Sequence, residues 1–140
     1  MSAYEIARAS TDAWNKRDFG AMRELHHPEY SYMGGDGQEQ KGSDAGMAVA
    51  QMFASAFPDG RIDIVSIKEA GDTAIVEFVG RGTHEGELMG IAPTGKTLAL
   101  PVCLVLEVRD GKIYREREYM DIMTMMTQLG VMPTPAAAHA

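Results

Sequence analysis

The chain has 140 residues, 45% of them apolar, with a net charge of −7 and Cys103 as its one cysteine. That is the length of one domain, large enough to bury a core without staples, and a single thiol excludes an internal disulfide framework. Basic residues scattered over an acidic chain argue against nucleic acid, no apolar run approaches the ~20 residues of a membrane span, and neither a basic-then-apolar leader nor a disulfide pattern is seen, so a cytoplasmic protein is expected.

The first helix is announced by the capping box Ser2-Ala3-Tyr4-Glu5, after which Ala3, Ile6, Ala7, Ala13 and Trp14 share a broad face. Asp18 caps a second, short helix with Phe19, Met22 and Leu25, which His27-Pro28 ends. Tyr30 to Met33 reads as a short strand and Gly34-Gly35-Asp36-Gly37 as a turn. From Ser43, Ala45, Ala48, Val49, Met52, Phe53, Ala56 and Phe57 form an apolar stripe at helical period, stopped by Pro58-Asp59-Gly60.

Beyond Gly60 the period becomes two. Long strands are expected after Gly60, from Thr73 towards Glu87, over 97–109 and over 112–121, with Gly71-Asp72 and Asp110-Gly111 as turns. A Met-rich helix from Ile122 to Leu129 is closed by Gly130, and 134–140 is expected to be a disordered tail to a single domain of residues 1–133. Helices followed by a meander of long strands imply an α+β fold, with helices on the concave side of a curved antiparallel sheet. Strands of this length must bend, and Gly80, Gly82 and Gly86 are the expected places.

The stretch Gly82-Thr83-His84-Glu85-Gly86-Glu87, the loop Gly90 to Lys96, the hairpin Asp110-Gly111-Lys112-Ile113, Glu118, Asp121 and Gln128-Leu129-Gly130 occur in an order that resembles the SnoaL-like polyketide cyclases. The resemblance implies the cone-shaped fold of nuclear transport factor 2 and ketosteroid isomerase, a pocket for a small apolar or polyketide-like molecule, no cofactor, and a homodimer through the outer sheet face. Two relatives of that fold fit less well. The Arg-x-Asp pair of limonene-type epoxide hydrolases is here Arg81-Gly82-Thr83, and the first-helix tyrosine of steroid isomerases is replaced by Trp14.

Alternation on the last strand puts Arg117, Tyr119 and Asp121 on one face and Glu116, Glu118 and Met120 on the other. The resemblance makes Asp121 the cavity acid/base, and desolvation would raise the proton affinity of such a carboxyl; capping the last helix is its alternative role. His84 is expected to hold Asp121 or a substrate carbonyl. Arg117 either joins them or pairs with a glutamate on the outer face. Trp14, Tyr32, Tyr119, Met52 and Phe53 are the expected pocket wall. His26-His27 lacks metal-ligand spacing and no metal site is expected; Cys103 reads as core. Three functions stay open: acid/base catalysis on a carbonyl substrate by cyclisation, isomerisation or hydration, non-catalytic binding of an apolar ligand, or protein interaction.

Overall fold

The change of period at Gly60 divides the computed structural model, which describes residues 1–132. Before it lie α1 (Ala3–Asn15), α2 (Phe19–Glu24), β1 (His26–Met33), β2 (Glu39–Lys41) and α3 (Ser43–Ala56). After it come β3 (Arg61–Ala70), β4 (Thr73–Thr83), β5 (Thr97–Arg109), β6 (Lys112–Met120) and α4 (Ile122–Gln128). The tail expected at 134–140 lies outside the described residues. Among those described, no helix is long and apolar enough to cross a membrane.

The local signals act as read. Ser2 Oγ accepts from the Glu5 amide at 3.1 Å, and Glu5 Oε1 accepts from the Ser2 amide at 3.3 Å. Asp18 caps α2 by accepting from the Ala21 amide at 3.0 Å. Asp110 and Gly111 both take positive φ, as the tight hairpin turn between β5 and β6 demands. In α3 the buried line runs through Gly46, Met47 and Ala56 while Ala48 is exposed. The helix has two neighbours rather than one: Met47 packs with Ala13, Trp14 and Met22, and Ala56 with the main core. β1 starts at His26, earlier than expected, because Pro28 falls in a stretch of irregular register where its missing amide costs no ladder bond.

The six strands form one sheet in the order β2-β1-β6-β5-β4-β3. β3 to β6 are an antiparallel meander, but β1 lies parallel to β6, so the sheet is mixed and not antiparallel throughout. No hairpin joins β1 to β6; α3 and the whole meander intervene, so turn geometry does not dictate their direction. The helices lie against the concave face, and the core between them includes Ile6, Tyr30, Leu88, Leu104, Leu106 and Ile113.

The register breaks are not at the glycines of β4, which pairs with β5 without interruption from Thr73 to Thr83. They lie between Ile64 and Ser66 in β3 and beside Tyr114 in β6. Gly82 and Gly86 serve close approach instead. A Cβ on Gly82 would stand 2.9 Å from Phe57 Cβ, and one on Gly86 would stand 3.0 Å from the Ser55 carbonyl carbon.

The break at Tyr114 decides what faces the core. Pairing that ran unbroken from the two-residue turn would keep the order Arg109–Lys112, Val108–Ile113, opposing even to odd residues. One extra residue changes it to Glu107–Arg115, Leu106–Glu116, Leu104–Glu118 and Val102–Met120. The even residues of β5 from Leu98 to Leu106 are all buried. Glu116, Glu118 and Met120 therefore share the inner face, and Arg117 and Tyr119 the outer, the reverse of the expected parity.

Candidate active site

A cavity of about 120 Å³ opens between the helices and the sheet, several times what one water needs by the same measure, about 10–15 Å³. Trp14 from α1, Phe53 from α3, Phe78 from β4 and Leu98, Leu100 and Val102 from β5 make most of it apolar. Its polar wall is the parallel pair β1 and β6, which brings together Tyr30, Tyr32, Glu116 and Glu118. Tyr30 donates to Glu116 Oε1 at 3.0 Å and Tyr32 donates to Glu118 Oε1 at 2.8 Å. The second oxygen of each carboxyl has no protein hydrogen bond among the described residues.

Both carboxyls line the cavity on half-buried residues of the inner sheet face. Desolvation, then repulsion from Glu118, pushes Glu116 up to about 7, against a smaller downward pull from the Tyr30 hydroxyl. Burial also raises Glu118, opposed by its bond from Tyr32. Burial thus favours the neutral form of both carboxyls, and the charge of Glu118 adds to that preference at Glu116. Burial holds both tyrosines far above their ordinary range, so they stay neutral donors. His26 stacks on Tyr30 at 3.8 Å and meets Ser43 Oγ at 2.6 Å. Desolvation, then nearby Arg23, lowers it to about 4, so it is an uncharged wall.

Of the residues expected from the sequence, Trp14, Tyr32 and Phe53 line this cavity. Trp14 also donates its indole N–H to Ala50 O at 3.0 Å. Met52 lies on the other flank of α3 and packs on the main core. Arg117 pairs with Glu107 across the outer face, and Tyr119 there is 49% exposed. Asp121 stands at the surface, where its Oδ1 accepts from the Thr124 amide at 3.3 Å; bonds from Thr124 lower its proton affinity, contrary to a cavity acid. It is the cap of α4. Asp121→Asn is accordingly expected to leave turnover and melting temperature nearly unchanged, since asparagine caps as well as aspartate; a large loss of activity in steady-state assays would contradict this placement.

His84 is fully buried but outside the cavity. Its Nδ1 accepts from the Thr94 amide at 3.2 Å, so the ring proton sits on Nε2, which has no partner among the described residues. Its backbone ties down the loop after β4: the His84 amide donates to Lys96 O at 2.8 Å, and Gly95 donates to His84 O at 2.9 Å. No hydrogen bond joins it to Asp121. Gln128 is similarly structural, accepting from the Ala99 amide at 2.8 Å and donating to Ala99 O at 3.0 Å where β6 has ended.

Glu116 also gives stability a pH dependence. Its proton is held more tightly in the folded state, at about 7 against an ordinary 4.5. Its contribution is full below 4.5 and is lost as pH rises through 7. Urea unfolding should therefore show wild type weakening relative to Glu116→Gln across that window; parallel stability curves would contradict the burial.

The model of the family described as SnoaL-like polyketide cyclase matches residues 4–129. Aklanonic acid methyl ester cyclase AcmA of Streptomyces galilaeus is 29% identical, over 94% of this chain and 92% of its own. Wild-type IdmH of Streptomyces antibioticus superposes with a TM-score of 0.82 at 28% identity, covering 94% of this chain and all (100%) of that one. A protein of ketosteroid isomerase-like fold from Catenulispora acidiphila superposes at 0.77 with 20% identity, covering 91% and 94% of the two chains. With a match of that extent and the curved sheet and cavity above, the chain belongs to the SnoaL-like polyketide cyclase family.

Proposed function

We propose that this protein is a cofactor-independent enzyme that closes a ring in a polyketide-like carbonyl compound, with Glu116 and Glu118 as its acid/base pair. The observation that carries the reading is the pair itself: two carboxyls in an apolar cavity, each braced by a tyrosine hydroxyl and each with one free oxygen. The anionic carboxylate removes a proton from the carbon next to a carbonyl. The enolate carbon then bonds to a second carbonyl carbon, whose oxygen takes the proton of the neutral carboxyl. One carbon–carbon bond forms, and the pair again holds one proton, on the other glutamate. The relative that acts on aklanonic acid methyl ester suggests that compound as the first probe. Incubation in heavy water followed by mass spectrometry should show a cyclised isomer, and deuterium next to the carbonyl. Tight binding with neither product nor exchange would make this a binding protein instead.

The outer sheet face suggests a second copy as its cover. Val65, Ile75 and Tyr119 are exposed there at 66%, 38% and 49% around Cys103 and Pro101. A two-fold dimer would bury this patch against itself. Sedimentation at micromolar concentration is expected to give a dimer that Val65→Asp dissociates; a monomeric wild type would end this part of the reading.

A further inference from the structure

Two glycines, each against a tyrosine of the cavity wall, are not required by the backbone. Gly34 follows β1 and Gly46 lies inside α3, and neither has the positive φ of nearby Gly37 and Gly42. Glycine weakens a helix interior, so its presence at a buried position of α3 calls for another cause. A Cβ on Gly46 would stand 2.9 Å from both Cε1 and Cζ of Tyr30 and closer still to its hydroxyl. A Cβ on Gly34 would stand 2.8 Å from the Tyr32 hydroxyl and 3.0 Å from Cε1. Each glycine thus meets the tip of a tyrosine that donates to a cavity carboxyl.

We propose that Gly46 and Gly34 are positioning residues: each leaves the space in which one tyrosine hydroxyl can stand to brace Glu116 or Glu118, and so fixes the reach and proton affinity of the carboxyl behind it. The role of these carboxyls in turnover rests on the acid/base reading above; the positioning itself does not. A tyrosine ring anchored in a strand has no way to yield except by tilting, and tilting removes a donor whose direction is sensitive to angle. The groups facing the two carboxyls are few. β1 contributes His26, Tyr30 and Tyr32, and each glutamate faces the other on β6; Leu104 and Val102 of β5, Ser10 and Thr11 of α1, and Val49 and Ala50 of α3 carry no charge. Arg61 and Arg81, which also border the cavity, are engaged by Asp63. Of these groups only the two hydroxyls donate a hydrogen bond to the pair.

The test is a carboxyl-carbon NMR titration of the intact chain, read for each glutamate separately. In Gly46→Ala the Glu116 midpoint should climb above its starting value of about 7 by roughly one pH unit, the size expected when a hydrogen bond to a charged group is lost. Tyr30→Phe should reproduce that rise, and Glu118 should move less in both. Gly34→Ala should show the converse, moving Glu118 more than Glu116, as should Tyr32→Phe. A lowered melting temperature with both midpoints unmoved would overturn the proposal and leave the glycines as packing only. Should Gly46→Ala fail to fold, Gly34→Ala, outside helix and strand, decides alone. If the midpoints move as expected while Glu116→Gln and Glu118→Gln keep full turnover, the positioning stands and the acid/base reading falls.

Discussion

Glu116→Gln and Glu118→Gln are each expected to lower turnover by about 10²–10⁴-fold, the usual worth of a positioned proton-transfer group. The substitution is nearly isosteric and the side-chain carbonyl can still accept from Tyr30 or Tyr32, so the cavity should keep its shape. What is lost is the exchange of a proton at that position. Ligand affinity, followed through quenching of Trp14 in the cavity wall, should change little, which separates loss of chemistry from loss of binding. On the proposed mechanism one proton passes between the two carboxyls, so the double variant should be scarcely worse than either single one. Additive losses would mean that the two carboxyls serve separate steps. Full activity in both single variants would remove proton transfer from this site.

The largest structural effect should come from Gly86→Ala. The Glu85 and Gly86 amides both donate to Ala56 O at 3.0 Å, pinning the loop after β4 onto the end of α3. A methyl group at Gly86 would stand 3.2 Å from Ala56 Cα and closer still to the Ser55 carbonyl. These are backbone atoms with no rotamer through which to retreat, so strand and helix must part. Overpacking costs about 1–3 kcal/mol, and the two amides would be stretched as well. A stability loss of roughly 2–3 kcal/mol, or about 5–10 °C in melting temperature for a domain of this size, is expected by urea and thermal unfolding. A change of only a few tenths would show that the loop relaxes freely.

The order and type of the long elements were legible because each carries its own period and stop signal. β5 is found over the expected 97–109, bounded by Gly95 and the Asp110-Gly111 turn. The parallel docking of β1 was not legible, since nothing local in His26 to Met33 names a distant partner or its direction. The site was half legible for a related reason. Trp14, Tyr32 and Phe53 were reachable from apolar patterning, but one unpaired residue at Tyr114 reverses every side chain after it. A physical clue was present. Of Arg115-x-Arg117 and Glu116-x-Glu118, only the glutamates can shed their charge in a dry pocket by taking up a proton, so burying them costs less.

The parallel contact of β1 with β6 sets the time at which the polar wall of the cavity is assembled. Each tyrosine is separated from its glutamate by 86 positions along the chain, so the two tyrosine–glutamate hydrogen bonds form only after the meander has closed and the first strand has docked on the last. Contacts so distant in sequence carry a large loop-closure cost and slow the search for the native state. On the ribosome, all of β3, β4 and β5 precede the partner of β1, leaving a half-sheet with an uncovered flank that waits for residues 112–120. A nascent chain halted before Lys112 would hold most of its eventual secondary structure and neither cavity glutamate.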